Sequence, residues 1–208
     1  MAIGAGLLSL GGDNAALGDR ADELVAITTE QGFPAWHAQG TIYRGYAKAE
    51  NGDVVEGVSL LRSGLSAYRA TGTVTWIAHL IALLASACQL AGQAEESLTL
   101  LDDALHIVES TRERWLEAEL NRHKGQLLLQ QGHTDAAEEL YRKALSIARE
   151  QEAKLWELRS AVSLARLRRD EGRRAEARDL LAPVYGWFAE SFATPDLKEA
   201  KALLDEVT

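Results

Sequence analysis

Apolar residues recur three and four positions apart along most of the chain, the spacing of one face of an α-helix. Strict alternation of Val, Ile, Thr and Tyr with polar residues is missing, so the pattern predicts helices and no sheet. The stripes break at a fixed interval. Gly12, Gly52, Gly92, Gly132 and Gly172 stand 40 residues apart, each preceded by an apolar helical pattern and followed by a polar stretch and another such pattern. A glycine there takes the left-handed conformation that ends one helix before the next begins. Other columns keep the same step. Ala5, Gly45, Ala85, Gly125 and Ala165 precede these glycines by seven residues, and the small residues Gly57, Ser97, Ala137 and Ala177 follow them by five. Large residues recur as Leu60, Leu100, Leu140 and Leu180, as Leu61, Leu101, Tyr141 and Leu181, and as Leu65, Leu105, Leu145 and Tyr185; Gly64, Ala104, Ala144 and Val184 hold the position between. Trp36, Trp76, Trp115 and Trp156 open the helices that lead to the glycines.

Helix packing explains these columns. Antiparallel helices approach to about 8–10 Å only where side chains are small. The Leu stripe of one helix pair has no cover until a second pair stacks on it. Four complete pairs are therefore predicted, with first helices over about 34–51, 74–91, 113–131 and 154–171 and second helices over about 53–71, 93–110, 133–151 and 173–190. The expected fold is all-α: an α-solenoid of stacked antiparallel helix pairs with a period of about 40 residues, a right-handed superhelix closed by a C-terminal capping helix. Residues 1–32 form a partial N-terminal repeat, 33–192 the four pairs and 193–208 the cap. Residues 2–11 read as half a first helix, which points to a piece of a longer protein or a shortened paralogue and leaves Leu7, Leu8 and Leu10 short of packing. At the other end Thr194 is an N-cap and Pro195 a first helical residue. Leu197, Ala200, Leu203 and Leu204 share one face there, opposite Lys198, Glu199, Lys201 and Asp205.

Composition agrees with a soluble helical protein: 208 residues, 47% hydrophobic and 25% charged, with only 3 prolines. A net charge of −9 argues against non-specific nucleic-acid binding and against anionic membranes. One cysteine, Cys88, excludes an internal disulfide and suits a reducing compartment. The apolar stretch Ala2–Leu10 has no Lys or Arg ahead of it and is too short to span a bilayer, so a cytoplasmic location is expected.

The columns resemble the tetratricopeptide repeat family. Its Gly/Ala position in the first helix matches Gly45, Ala85, Gly125 and Ala165. Its small position in the second helix matches Gly57, Ser97, Ala137 and Ala177, and its large position matches Leu61, Leu101, Tyr141 and Leu181. The period departs from the usual 34 residues, and the usual proline at the repeat end is missing. A narrower resemblance rests on Gln31–Trp36, Ala67–Gly72, Glu113–Leu120 with Gly125, Leu158–Leu167, Ala177–Phe188 and Thr194–Leu204. These segments are similar to the C-terminal repeat region of bacterial signalling proteins that carry a class III adenylate/guanylate cyclase domain and a P-loop ATPase domain. That resemblance implies a sensory or regulatory arm. It brings no enzyme, since no G-x-x-x-x-G-K-[ST] occurs in the chain.

Candidate chemistry is sparse. Cys88 sits among Ala85, Ser86 and Ala87 with no base in sight and reads as a small buried residue. No two of the 5 histidines stand four apart, and no zinc pattern is present, so no metal, cofactor or catalytic residue is assigned. Glu119 and Arg122 are spaced to pair on a helix surface. Seven arginines between Arg159 and Arg178 could take a phosphate or an acidic peptide, or pair with the acids beside them.

With the Gly/Ala column packed, helical geometry turns a row of first-helix residues toward the concave face: Gln39, Tyr43, Tyr46, His79, Glu119, Arg122, His123, Gln126, Arg159, Arg166 and Arg169. A groove of aromatics, amides and charges suits a peptide or partner helix. The expected function is a non-catalytic scaffold for protein–protein or intramolecular regulatory contacts, with a peptide segment or the chain's own cyclase and ATPase neighbours as partner. The alternative is a sensor of a small inducer in the same groove. Self-association through the N-terminal apolar helix is left open.

Overall fold

The structure, a computed structural model, describes residues 2–188 and 194–208. All regular elements among the described residues are helical. They fall into two compact units, Met1–Arg112 and Glu113–Thr208. The first unit holds α1 (Ala2–Gly11), α2 (Asn14–Gln31), α3 (Pro34–Glu50), α4 (Val54–Ala70), α5 (Ile77–Leu90) and α6 (Ala94–Thr111). The second opens with a 3₁₀ turn, Arg114–Leu116. It continues through α7 (Glu117–Gln130), α8 (Thr134–Glu150), α9 (Lys154–Asp170), α10 (Arg174–Gly186) and α11 (Pro195–Val207).

Within each unit the helices pack as sequential pairs: α3 with α4 and α5 with α6 in the first, α7 with α8 and α9 with α10 in the second. Successive pairs stack, with α5 against α3 and α4, and α9 against α7 and α8. The last helix, α11, lies on α9 and α10. It buries Leu197, Ala200, Leu203 and Val207 and exposes Lys198, Glu199, Lys201 and Asp205, as the pattern predicts for a cap. Thr194 accepts the Leu197 N–H at 3.4 Å, and Pro195 takes the first helical position.

The five periodic glycines have positive φ, from 74° at Gly92 to 99° at Gly52. At four of them the next residue donates its N–H five residues back, as in Gln93 to Cys88 O at 2.8 Å, so the orphan carbonyls of the ending helix are satisfied. A second column of left-handed residues carries the same period, following α2, α4, α6 and α8: Gly32, Gly72, Arg112 and Glu152, with φ of 69°, 73°, 58° and 53°. An L side chain in this conformation costs about 1–2 kcal/mol relative to glycine. Glu152→Gly should therefore raise stability by about 1 kcal/mol, read as a higher urea midpoint with an unchanged slope.

The small columns sit where helices touch. In α3 and α4 the approach is backbone to backbone. A Cβ on Gly57 would lie 2.7 Å from the Ala49 backbone nitrogen and 2.7 Å from the Gly45 carbonyl oxygen. Neither atom can move without shifting a helix. Gly57→Ala should cost about 2 kcal/mol by overpacking, seen as a lower urea midpoint.

Three boundaries differ from the expected ones. α5 begins at Ile77 rather than near 74, because Trp76 adopts a left-handed conformation with φ 66° and cannot join the helix. The stretch from 113 starts as a 3₁₀ turn before α7. α10 ends at Gly186, with Pro183 inside it removing one ladder N–H. The expected continuation to 190 and the 192/193 boundary reach into residues outside those described.

Candidate functional site

The second unit gathers the predicted polar residues. Glu119 and Arg122, one turn apart on α7, form a fork: Arg122 Nε and Nη2 donate to the two carboxylate oxygens at 2.8 Å each. Side-chain exposure is only 18% for Arg122 and 17% for Glu119, so this is a desolvated pair rather than the surface pair its spacing suggests. Burial works against the Glu119 carboxylate, but the Arg122 charge and hydrogen bonds, with help from Arg159, hold its pKa below the usual carboxylate value. Burial likewise opposes the Arg122 charge, and Glu119 more than offsets it, so Arg122 stays protonated throughout.

Arg159, on α9, reaches Glu119 at 3.6 Å and donates to both oxygens of Asp196 on α11, at 2.6 and 3.0 Å. Its guanidinium lies 5.3 Å from the centre of the Trp156 ring. Arg166 pairs with Glu199, and Arg169 with Asp170 and Glu206. Arg168 and Arg173 share Glu138 and Glu176, Arg173 also meets Glu171, and Arg178 meets Asp179. The arginine-rich repeat thus finds carboxylates within the fold, three of them supplied by α11. Arg122, Gln126, Arg159, Ser163 and Arg166, facing Asp196 and Glu199, line a polar cavity of about 310 Å³.

In the first unit three of the four expected groove residues are interior. Gln39, Tyr43 and His79 are buried, because α1 lies across them. Gly6 packs on Tyr43 Oη and the Trp76 ring; a Cβ there would lie 3.0 and 3.1 Å from them. Ser9 Oγ is 3.1 Å from His79 Nε2, Trp76 meets the His79 ring edge-on at 5.9 Å, and Gln39 Nε2 donates to Tyr43 Oη at 2.9 Å. Burial pushes the Tyr43 phenol up and the His79 imidazole down to about 4. His123, in the second unit, is also buried; it shares a face with Leu120 and Leu127 three and four residues away. Burial, then the Arg122 charge, lowers it to about 4. Tyr43, His79 and His123 are thus buried in the interior, and Gln39, buried beside Tyr43, borders a pocket. Tyr46 stays half-exposed.

Beside this buried set the first unit carries an apolar pocket of about 280 Å³ that no groove residue but Gln39 anticipates. Ala2 and Ile3 of α1, Trp36 and Gln39 of α3, Tyr68 of α4 and the turn from Thr73 to Trp76 line it. Tyr68 Oη donates to the Thr75 carbonyl at 2.6 Å, which ties that turn to the end of α4.

Residues 76–150 match the tetratricopeptide repeat family model. No curated protein matches the chain. Solved structures of the same fold include BtubC (BKLC) from P. vanneervenii, at 13% identity and a TM-score of 0.71, covering 93% of this chain and 89% of that one. A Rap protein complexed with competence and sporulation factor is similar at 15% identity and a TM-score of 0.68, over 98% of this chain and 61% of its own. So is a signal transduction ATPase with a tetratricopeptide repeat sensor from Pyrococcus horikoshii, at 15% identity and a TM-score of 0.71, over 91% of this chain and 28% of its own. At these identities the likeness is one of fold.

The chain is thus a tetratricopeptide-like helical repeat. Its periodic residues serve packing, and the polar cavity collects Arg122, Gln126, Arg159 and Arg166 from the predicted face, with Glu119 bracing two of them. The apolar pocket is what the reading of one face missed. Its signals lay elsewhere: the tryptophan column, and two stretches, 31–43 and 70–94, without any Asp, Glu, Lys or Arg.

Proposed function

We propose that the chain is a non-catalytic scaffold that binds a protein or peptide segment, serving as the regulatory arm of a bacterial signalling protein. The observation that carries this reading is the pairing of a stacked repeat with a pre-formed apolar pocket and a polar cavity on it. Such surfaces recognise segments by a few anchors set in a rigid frame. The Rap protein whose fold is similar is complexed with competence and sporulation factor, and the similar signal transduction ATPase has a tetratricopeptide repeat sensor. The partner on this reading is a segment of another protein or a cyclase or ATPase domain joined to the repeat. The acidic charge disfavours nucleic acid, and no helix among the described residues is long and apolar enough to cross a membrane. Photo-cross-linkers placed along α3 and α9 of the full chain in its own cells test this. The reading expects a reproducible partner that unlabelled chain competes away, and consistent failure to capture one would end it.

The polar cavity favours a second reading, a sensor of a small polar inducer. A thermal-shift screen of sugars, nucleotides and phosphates checks it, since a ligand specific for the folded state raises the melting temperature. A shift abolished by Ser163→Ala supports a sensor, and no shift with any compound removes it.

A further inference from the structure

We infer that the pocket at Trp36 and Trp76 is an anchor site for a bulky aromatic side chain of a peptide whose flanks are basic; this deepens the scaffold reading and rests on it. The size comes first. About 280 Å³ is slightly below the range of about 300–1,000 Å³ typical of drug-sized ligands, so it takes one large side chain rather than a whole ligand. Chemistry comes next. Trp36, Tyr68 and Trp76 offer ring faces and edges, and aromatic pairs gain beyond the area they bury. None of the lining residues is ionisable near neutral pH, and Gln39, Thr73 and Thr75 supply neutral polar groups. No lining side chain carries a charge to offset that of an entering ion, and most of the lining is apolar, so a neutral ring matches it better than an ion does.

The surroundings of the mouth argue for a peptide over a free ring. Ile3 and Trp36 line the pocket yet remain 65% and 46% exposed, Val74 between two lining threonines is 63% exposed, and Leu7, one turn after Ile3, is 61% exposed. A single ring would fill the cavity and leave this apolar surface in water, whereas a segment running over the mouth covers it. Charge selects the flanks. Residues 1–112 carry 6 Lys and Arg against 13 Asp and Glu, a net −7, so a basic segment is drawn to this unit and an acidic one repelled. The wall that α1 contributes depends on Gly6, whose missing side chain lets the helix sit on Tyr43 and Trp76.

Fluorescence polarisation on the full chain tests the proposal with three labelled nonapeptides. One has a central tryptophan between lysines, one has alanine in place of the tryptophan, and one has glutamates in place of the lysines. The first should bind at least tenfold tighter than the second and at least threefold tighter than the third. Trp36→Ala and Ile3→Ser, both at exposed positions, should each weaken it about tenfold with the helical circular dichroism signal and melting temperature preserved. Equal binding of all three peptides, or no effect of either substitution in folded protein, overturns the proposal. So does binding of free indole with none of the peptides. A cross-linked partner whose capture is untouched by Trp36→Ala would leave the scaffold standing and remove this anchor site alone.

Discussion

Glu119→Ala should destabilise the second unit by about 3 kcal/mol, because it leaves the Arg122 guanidinium in a desolvated place without its carboxylate. Among the described residues the long contacts from Arg122 to Gln126 and Ser163, at 3.3 and 3.4 Å, would remain. Arg159 loses a neighbour at 3.6 Å but keeps Asp196. Removing both charges is a different matter. The double variant Glu119→Leu with Arg122→Met buries no charge and should recover most of the loss, since a buried pair contributes little net stability over apolar residues of like size. Urea unfolding of the two single variants and the double variant gives the coupling directly. A double variant as unstable as the sum of the singles would show that the pair is not desolvated as described.

Acid should begin to destabilise the protein near pH 6.5, above the usual carboxylate range. His79 and His123 are buried, with folded pKa values of about 4 against about 6.5 in an unfolded chain. Between those limits the unfolded state binds the protons and the folded state does not, so stability falls as pH falls. The contribution is complete above pH 6.5, declines from there, and is lost by about pH 4, at up to about 3 kcal/mol for each histidine. Glu119, with its lowered pKa, adds loss in the same direction once pH passes below the ordinary carboxylate value. Stability measured from pH 7.5 to 4 checks this. His79→Gln keeps a polar side chain beside Ser9 and should flatten the pH slope of the first unit. A slope unchanged by that substitution would place the sensitivity elsewhere.

The architecture was readable because packing is periodic. Gly45, Gly57 and Gly125 recur in sequence at the points where helices touch in space, and Gly92 and Gly132 recur where helices end. The candidate site was only partly readable, for two physical reasons. Helical register tells which residues share a face but not what later crosses that face. Gln39, Tyr43 and His79 are buried, and α1 packs on Tyr43 and His79 through Gly6 and Ser9. Ion pairing over long separations is equally hidden. Arg159 and Asp196 lie 37 residues apart, and only the seating of α11 on α9 brings them together. The apolar pocket left a fainter trace: within the tryptophan column Trp156 is buried, while Trp36 opens outward.

Residue-resolved hydrogen exchange tests the central claim, that paired helices recur and each pair is closed by a left-handed turn. Slow exchange is expected in the middle of each helix, with fast-exchanging breaks at Gly12, Gly52, Gly92, Gly132 and Gly172 and again at Gly32, Gly72, Arg112 and Glu152. Protection running unbroken through those positions, or breaks without the 40-residue recurrence, would contradict the account.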